Sequence, residues 1–333
     1  MDRRIRVIQY GLGPIGNRVT PCLVERDAFQ IVGAIDSDPT KLGRDIGVLA
    51  GLSEPLGVRI VADSKTLLSE VDADIVVLTT TSSLETIRPQ IMEIVSCGMN
   101  VVSTCEELAY PWVTHPRIAR EMDEAAKEQN VSVLATGVNP GFLMDFLPLV
   151  MTGICRHIEK VTVERIQDAQ FRRRPFQKKI GAGLSVQRFH EKVKAGALRH
   201  VGLTESMHMM AFSIGWELDR TEDIIHPVVA SDRVSTADLV IEPGEVLGVN
   251  QIGRGYVNRK EVITLVFRAA IGEPDPRDRI LIEGTPDIDM TIKEGIHGDI
   301  ATCAIAVNAI PAVIRAPAGL RTMADIEPIS CFI

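Results

Sequence analysis

Residues 5–16 read IRVIQYGLGPIG, an apolar strand-like run that passes directly into three glycines spaced as GxGxxG. Each glycine has its own task in such a turn. Gly11 permits the tight bend, Gly13 lets the backbone approach a pyrophosphate, and Gly16 lets the following helix pack close to the strand. Pro14 and Ile15 bring the chain to the helix start, whose amides would hold the phosphates. A second apolar run, 29–35, ends at Asp36, twenty positions after Gly16. That spacing turns a common glycine pattern into a dinucleotide fingerprint. An acid there accepts a ribose 2′-hydroxyl and repels a 2′-phosphate, so Asp36, with Ser37 beside it, favours NAD. Lys41 and Arg44 follow closely and could take a 2′-phosphate if Asp36 turns away, which keeps NADP possible.

Outward from this loop the same rhythm repeats. Val- and Ile-rich runs at 29–35, 58–61, 75–79, 100–103 and 131–135 alternate with helical stretches at about 14–26, 64–70, 84–97 and 114–129. Strand and helix in regular alternation predict an α/β fold, a Rossmann doubly wound parallel sheet over residues 1–140. The texture then changes. Stretches 161–166, 238–243 and 262–271 alternate apolar and polar residues, helical signals occur at 185–195 and 204–217, and Pro227, Pro243, Pro274 and Pro276 mark turns. Residues 141–298 are expected to form a second, α+β domain for substrate binding and dimerisation. The last apolar stretch, 299–314, reads as a buried helix bent at Pro311. We expect 299–325 to return and pack on the first sheet.

A chain of 333 residues exceeds what one core usually serves, and 45% apolar with 24% charged residues is an ordinary globular composition. The net charge of −8 leaves no basic surplus for nucleic acid. No apolar run approaches the roughly 18–20 residues of a membrane span, and the first residues carry no signal-peptide core, so a cytoplasmic protein without membrane contact is expected. The six cysteines are scattered without a CxxC pair or a histidine at ligand spacing, so no metal is expected and the thiols read as small buried groups.

Ligands of doubly wound sheets lie beyond the carboxyl ends of the strands, and three features fall there. The loop at 79–83 is all hydroxyls, and Thr80, Thr81 and Ser82 would face the dinucleotide or else cap the helix beginning at residue 84. The run NVVSTCEE places Glu106 and Glu107 at a strand end. In an extended backbone their side chains diverge, so one enters the cleft and the other faces protein or solvent. A carboxylate beside a nicotinamide can hold an ammonium group, remove a proton from an amine, or activate water. The turn TGVNPGF (136–142) offers Asn139 and Phe142 at the same edge. In the second domain RRRPFQKK (172–179) is the densest positive run; Arg174 within it could meet a carboxylate, and the run could equally be a solvated loop. Phe176, Met207, His208, Phe212 and Trp216 could line a pocket, although Met207, Met210, Ile214 and Trp216 also read as the core stripe of one helix. Among the histidines, His208 and His226 read as structural, and His297, just before the terminal helix, is the best candidate for substrate contact.

Taken together, GLGPIG, GAIDSDP, TTTSS, NVVSTCEELAYP, TGVNPGF, RRRPFQKKIGAG, HGDIATCAIAVNAIP and GLRTM resemble the 2,4-diaminopentanoate dehydrogenases and the native amine dehydrogenases related to them, over essentially the whole chain. The resemblance implies a homodimeric NAD(P)-dependent oxidoreductase whose first domain is like that of dihydrodipicolinate reductase. It implies oxidative deamination of an amine and the reverse reductive amination of a ketone or aldehyde by ammonia. It also implies that Glu106 or Glu107 serves the amine, with a lean towards Glu106. Neighbouring families place a lysine or a double histidine where this chain has glutamate, and an anionic carboxylate is the better partner for an ammonium or iminium. The alternatives are a carbonyl or imine reductase of the dihydrodipicolinate reductase or homoserine dehydrogenase type, and a dinucleotide-sensing protein without turnover.

Overall fold

Runs of valine and isoleucine become the strands of the first sheet because side chains branched at Cβ suit a pleat buried on both faces. The computed structural model describes residues 3–170, 172, 174–236 and 239–332. Arg173 of the basic run and Asp238 of the stretch 238–243 lie outside the described residues. From the N-terminus the elements are β1 (Ile5–Tyr10), α1 (Gly16–Val24), β2 (Phe29–Ile35), α2 (Ile46–Leu49), β3 (Ile60–Val61), α3 (Ser64–Glu70), β4 (Ile75–Leu78), α4 (Leu84–Ser96), β5 (Asn100–Ser103), a 3-10 turn at Glu106–Leu108, α5 (Pro111–Thr114), α6 (Pro116–Glu128) and β6 (Ser132–Ala135). The strand expected at 58–61 shrinks to two residues. The helix expected at 114–129 breaks at His115, because a residue before proline avoids the helical region.

The chain continues through α7 (Phe146–Thr152), β7 (His157–Asp168), α8 (Arg174–Lys179), α9 (Val186–Lys194), α10 (Leu203–Ile214), β8 (Arg220–Val229), β9 (Val234–Ser235), β10 (Val240–Ile241), β11 (Val246–Val257), β12 (Lys260–Ala270), β13 (Arg277–Thr285) and β14 (Ile288–Lys293). It closes with α11 (Gly298–Arg315) and β15 (Gly319–Arg321). Two compact units result: Met1–Phe142 with His297–Ile333, and Leu143–Ile296.

The first unit holds a seven-stranded sheet in the order β15-β6-β5-β4-β1-β2-β3, with every pairing parallel. This is a Rossmann arrangement, and its strand order reverses between β1 and β4, where a crevice opens beyond the carboxyl ends. All four residues of β4 and of β6 are buried. The returning α11 packs on α1, β4, β5 and β6. Its length and composition would suffice to cross a membrane, which the sequence reading did not anticipate, and half of it is buried. Cys303, Val307, Ile310 and Val313 form the covered side, whereas Ile300 is 61% exposed. Pro311 lies inside the helix, which runs on to Arg315.

The second unit is a mixed sheet in the order β14-β13-β7-β12-β11-β8, antiparallel except for β7 with β12, with β9 and β10 forming a separate pair. Residues of β7, β11 and β12 alternate between buried and partly exposed, as one packed and one open face require. Helix α10 covers the packed face. Gly253 leaves room for Met207, whose Cε would sit 3.2 Å from a side chain there. Of the expected core stripe, Met207 and Met210 are fully buried, whereas Ile214 is partly exposed and Trp216 lies beyond the end of α10; Phe212 is 72% exposed. Arg165 on β7 is buried against Asp278 at 2.9 Å and also donates to the Ile296 carbonyl, tying down the end of this unit.

Candidate active site

The loop between β1 and α1 is locked from several sides. Gly11 has φ of +93°, where side-chain-bearing residues are strained, and its carbonyl accepts the Thr79 hydroxyl at 2.7 Å. A Cβ on Gly16 would lie 1.9 Å from that same carbonyl oxygen, so only glycine fits. Nothing lies within 4 Å of a Cβ built on Gly13. The loop is closed towards the sheet and open on its outer side. Helix α1 follows Ile15 with no side-chain cap, and the amides of Asn17 and Arg18 donate to the Gly13 and Ile15 carbonyls at 2.9 Å, which draws the loop tightly onto the helix start. Pro14 is exposed and Ile15 partly so. The residues present fit a dinucleotide pyrophosphate.

Two supports were not foreseen. Gln9, fully buried in β1, donates from its side chain to the Gly16 carbonyl and accepts the Thr20 hydroxyl at 2.8 Å. A glutamine in an otherwise apolar strand was the available signal. Cys303 of α11 lies 3.6 Å from the Ile15 carbonyl, so the returning helix touches the loop.

Asp36 is 8% exposed and already engaged. Its Oδ2 accepts from the Leu12 amide at 2.7 Å and from Lys41 Nζ at 3.0 Å, while Oδ1 accepts from the Asp38 amide at 2.8 Å. Ser37 is exposed beside it. In the hydroxyl loop, Thr79 serves Gly11, Thr80 donates to Gln90 at 2.6 Å, and Thr81 accepts from the Ser83 amide at 3.2 Å. The Ser82 carbonyl accepts from the Glu107 amide at 3.3 Å. Ser83 caps α4 by position without a side-chain hydrogen bond.

The two glutamates separate, though by a different route from the extended backbone expected. Strand β5 stops at Ser103, and the acids lie in the 3-10 turn. Glu107 accepts the Leu84 amide at 2.8 Å, so it caps the start of α4. Of the two acids expected to diverge, Glu107 is the one that faces protein, with its Oε2 engaged at the helix start. Glu106 instead lines a cavity of about 50 Å³ with Thr104, Cys105, Thr136, Asn139 and Thr302. Asn139 and Glu106, predicted from separate motifs, thus share one wall at the ends of β5 and β6. Thr136 and Thr302 were missed. The Thr302 hydroxyl accepts the Val138 amide at 3.2 Å and holds the turn. Burial, and then the two nearby glutamates, push the Cys105 thiol far up, so it stays protonated and unreactive.

Phe142 is partly exposed at the end of this turn, and His297 is exposed at the N-terminal end of α11. Arg174 opens α8 in the other unit and is exposed. Among the described residues no group of three or more His, Cys, Asp or Glu could hold a metal ion.

The family profile of the 2,4-diaminopentanoate dehydrogenase C-terminal domain matches residues 142–333. The 2,4-diaminopentanoate dehydrogenase of Acetoanaerobium sticklandii is 34% identical, covering 97% of this chain and 93% of its own length. An amine dehydrogenase structure from Mycobacterium smegmatis superposes with a TM-score of 0.88 at 25% identity, covering 99% of this chain and 98% of that one. A dihydrodipicolinate reductase from Paenisporosarcina sp. shares the fold at a TM-score of 0.54 and 12% identity, covering 96% and 98%. With one relative matching along nearly its whole length and the profile covering more than half of it, the chain belongs to the 2,4-diaminopentanoate dehydrogenase family.

Proposed function

We propose that this protein is an NAD(P)-dependent amine dehydrogenase, which deaminates a 2,4-diaminopentanoate-like or small aliphatic amine and runs in reverse as a reductive aminase. The observation that carries the reading is Glu106, which lines one cavity of about 50 Å³ with Thr136 and Asn139 while its neighbour Glu107 accepts the Leu84 amide at the start of α4. Gly11, Gly13 and Gly16 would hold the pyrophosphate, and Asp36 the adenosine ribose. When bound, the nicotinamide takes a hydride from the amine carbon in deamination and returns one to the iminium carbon in amination.

Glu106 does the proton work. Its carboxylate holds the substrate ammonium by charge and accepts one proton, leaving the neutral amine whose nitrogen lone pair drives hydride departure. Once that proton has passed to solvent, the restored carboxylate stabilises the resulting iminium by its negative charge. Glu106 then takes a proton from water as it adds to the iminium carbon, and the carbinolamine collapses to ketone and ammonia. Asn139 and Thr136 orient these groups, and the buried wall limits competing water. We further propose that the enzyme acts in the cytoplasm as a homodimer.

The test is turnover of 2,4-diaminopentanoate and a panel of aliphatic amines with NAD or NADP. Glu106→Gln is expected to lower kcat by about a hundredfold or more, the usual worth of a positioned acid–base group. Glu107→Gln keeps an acceptor for the Leu84 amide and is expected to retain turnover. Equal activity of wild type and Glu106→Gln, or NADH oxidation by ketone without ammonia, would remove the proposal.

A further inference from the structure

The sequence left NADP use dependent on Asp36 turning away, and the geometry closes that route. Two backbone amides, those of Leu12 and Asp38, hold the two carboxylate oxygens at 2.7 and 2.8 Å from opposite sides. Rotating the side chain out would strand both donors at a position only 8% exposed. Asp36 therefore stays put whichever dinucleotide arrives, and discrimination must come from another group.

We propose that Lys41 is that group: its ammonium, seated on Asp36, sets the balance between NADH and NADPH by neutralising the acid in place and supplying the counterion for a 2′-phosphate. The inference rests on the nicotinamide-cofactor reading above. Lys41 Nζ lies 3.0 Å from Asp36 Oδ2 and 3.4 Å from Asp38 Oδ2, with only 19% of its side chain exposed. It is thus already ordered, and recruiting it costs little side-chain entropy.

A carboxylate offers about four acceptor positions. The Leu12 amide, the Asp38 amide and Lys41 occupy three. One remains, on Oδ1, which suffices for a single ribose hydroxyl but not for gripping both. The acid's preference for the 2′-hydroxyl is weakened by that count, and its repulsion of a 2′-phosphate is cancelled by the adjacent ammonium. An ammonium has three donors, so Lys41 can keep Asp36 and still meet a phosphate oxygen. Asp38 adds one more negative charge 3.4 Å away, which is why the site favours neither dinucleotide strongly.

The experiment is equilibrium titration of NADH and of NADPH, followed by dinucleotide fluorescence, on wild type, Lys41→Met and Lys41→Arg. Wild type is expected to bind both within about tenfold of each other. Lys41→Met is expected to weaken NADPH by about ten- to a hundredfold, the worth of one charge-assisted hydrogen bond to a phosphate, while NADH changes little. Lys41→Arg is expected to restore NADPH. Equal shifts for both dinucleotides in Lys41→Met, or an unchanged NADPH affinity, would overturn the proposal. Failure of wild type to bind either dinucleotide would instead refute the cofactor reading on which it stands.

Discussion

At the scale of single residues, the three glycines of the first loop are chemically identical and structurally distinct. Gly16 faces the Gly11 carbonyl at a distance no Cβ could tolerate, whereas Gly13 faces open space. Gly16→Ala is therefore expected to destabilise the fold by about 1–3 kcal/mol, the range for overpacking, and to lower Tm. Gly13→Ala is expected to leave Tm unchanged yet weaken NADH by about tenfold, because a methyl group displaces amide–phosphate hydrogen bonds. Thermal melts with and without NADH distinguish the two, and equal Tm losses would contradict the assignment. The tight turn at Gly11 and the close approach at Gly16 were legible in the spacing alone. What the sequence could not disclose was which of two adjacent glutamates caps α4, because that depends on a hydrogen bond to Leu84, twenty-three positions earlier. Nor did it show that Lys41 sits on Asp36, since a lysine five positions on reads as a solvated charge until the turn places it.

Elements of the first unit were readable because buried parallel strands are apolar throughout and their lengths are short. In the second unit the elements were harder to place in context. His200 precedes α10 and stacks on Phe267 of β12, ring centroids 4.1 Å apart, while its backbone N–H and C=O both engage the Gln251 side chain at 2.6 and 3.0 Å. Nothing in the local sequence marks it, because its partners arrive from strands fifty or more positions later. Desolvation, then Lys179, Arg165 and Arg199, hold its imidazole pKa well below the ordinary value of 6.5. The ring is neutral in the fold and charged in the unfolded chain below pH 6.5. Its contribution to stability is thus complete above that pH and is lost as pH falls beneath it. The slope of that loss steepens below pH 6.5 towards a limit of about 1.4 kcal/mol per pH unit for one proton. Urea midpoints at pH 7.5 and 5.5 should fall further apart in wild type than in His200→Phe, which keeps an aromatic face on Phe267. Identical pH slopes would exclude this group as the source.

Over the whole molecule, the strand and helix alternation was sufficient to foresee one doubly wound sheet, and the change of texture near Asn139 to foresee a second body. The proposed homodimer has its candidates for contact in the second unit, where Ile154 is 74% and Phe212 72% exposed. Sedimentation equilibrium should give twice the 36.4 kDa monomer mass, and a monomer mass at micromolar protein would refute it. Connectivity has one more outcome. The dinucleotide unit is discontinuous: β15 completes the sheet edge beside β6, and α11 braces the glycine loop through Cys303, yet both come from the last 37 residues. On the ribosome the inserted body, contiguous in sequence, emerges with all six strands of its mixed sheet before the nucleotide-binding body has received its final helix. A nascent chain therefore cannot finish its cofactor cradle until the whole inserted body has been made, and that body is free to fold first.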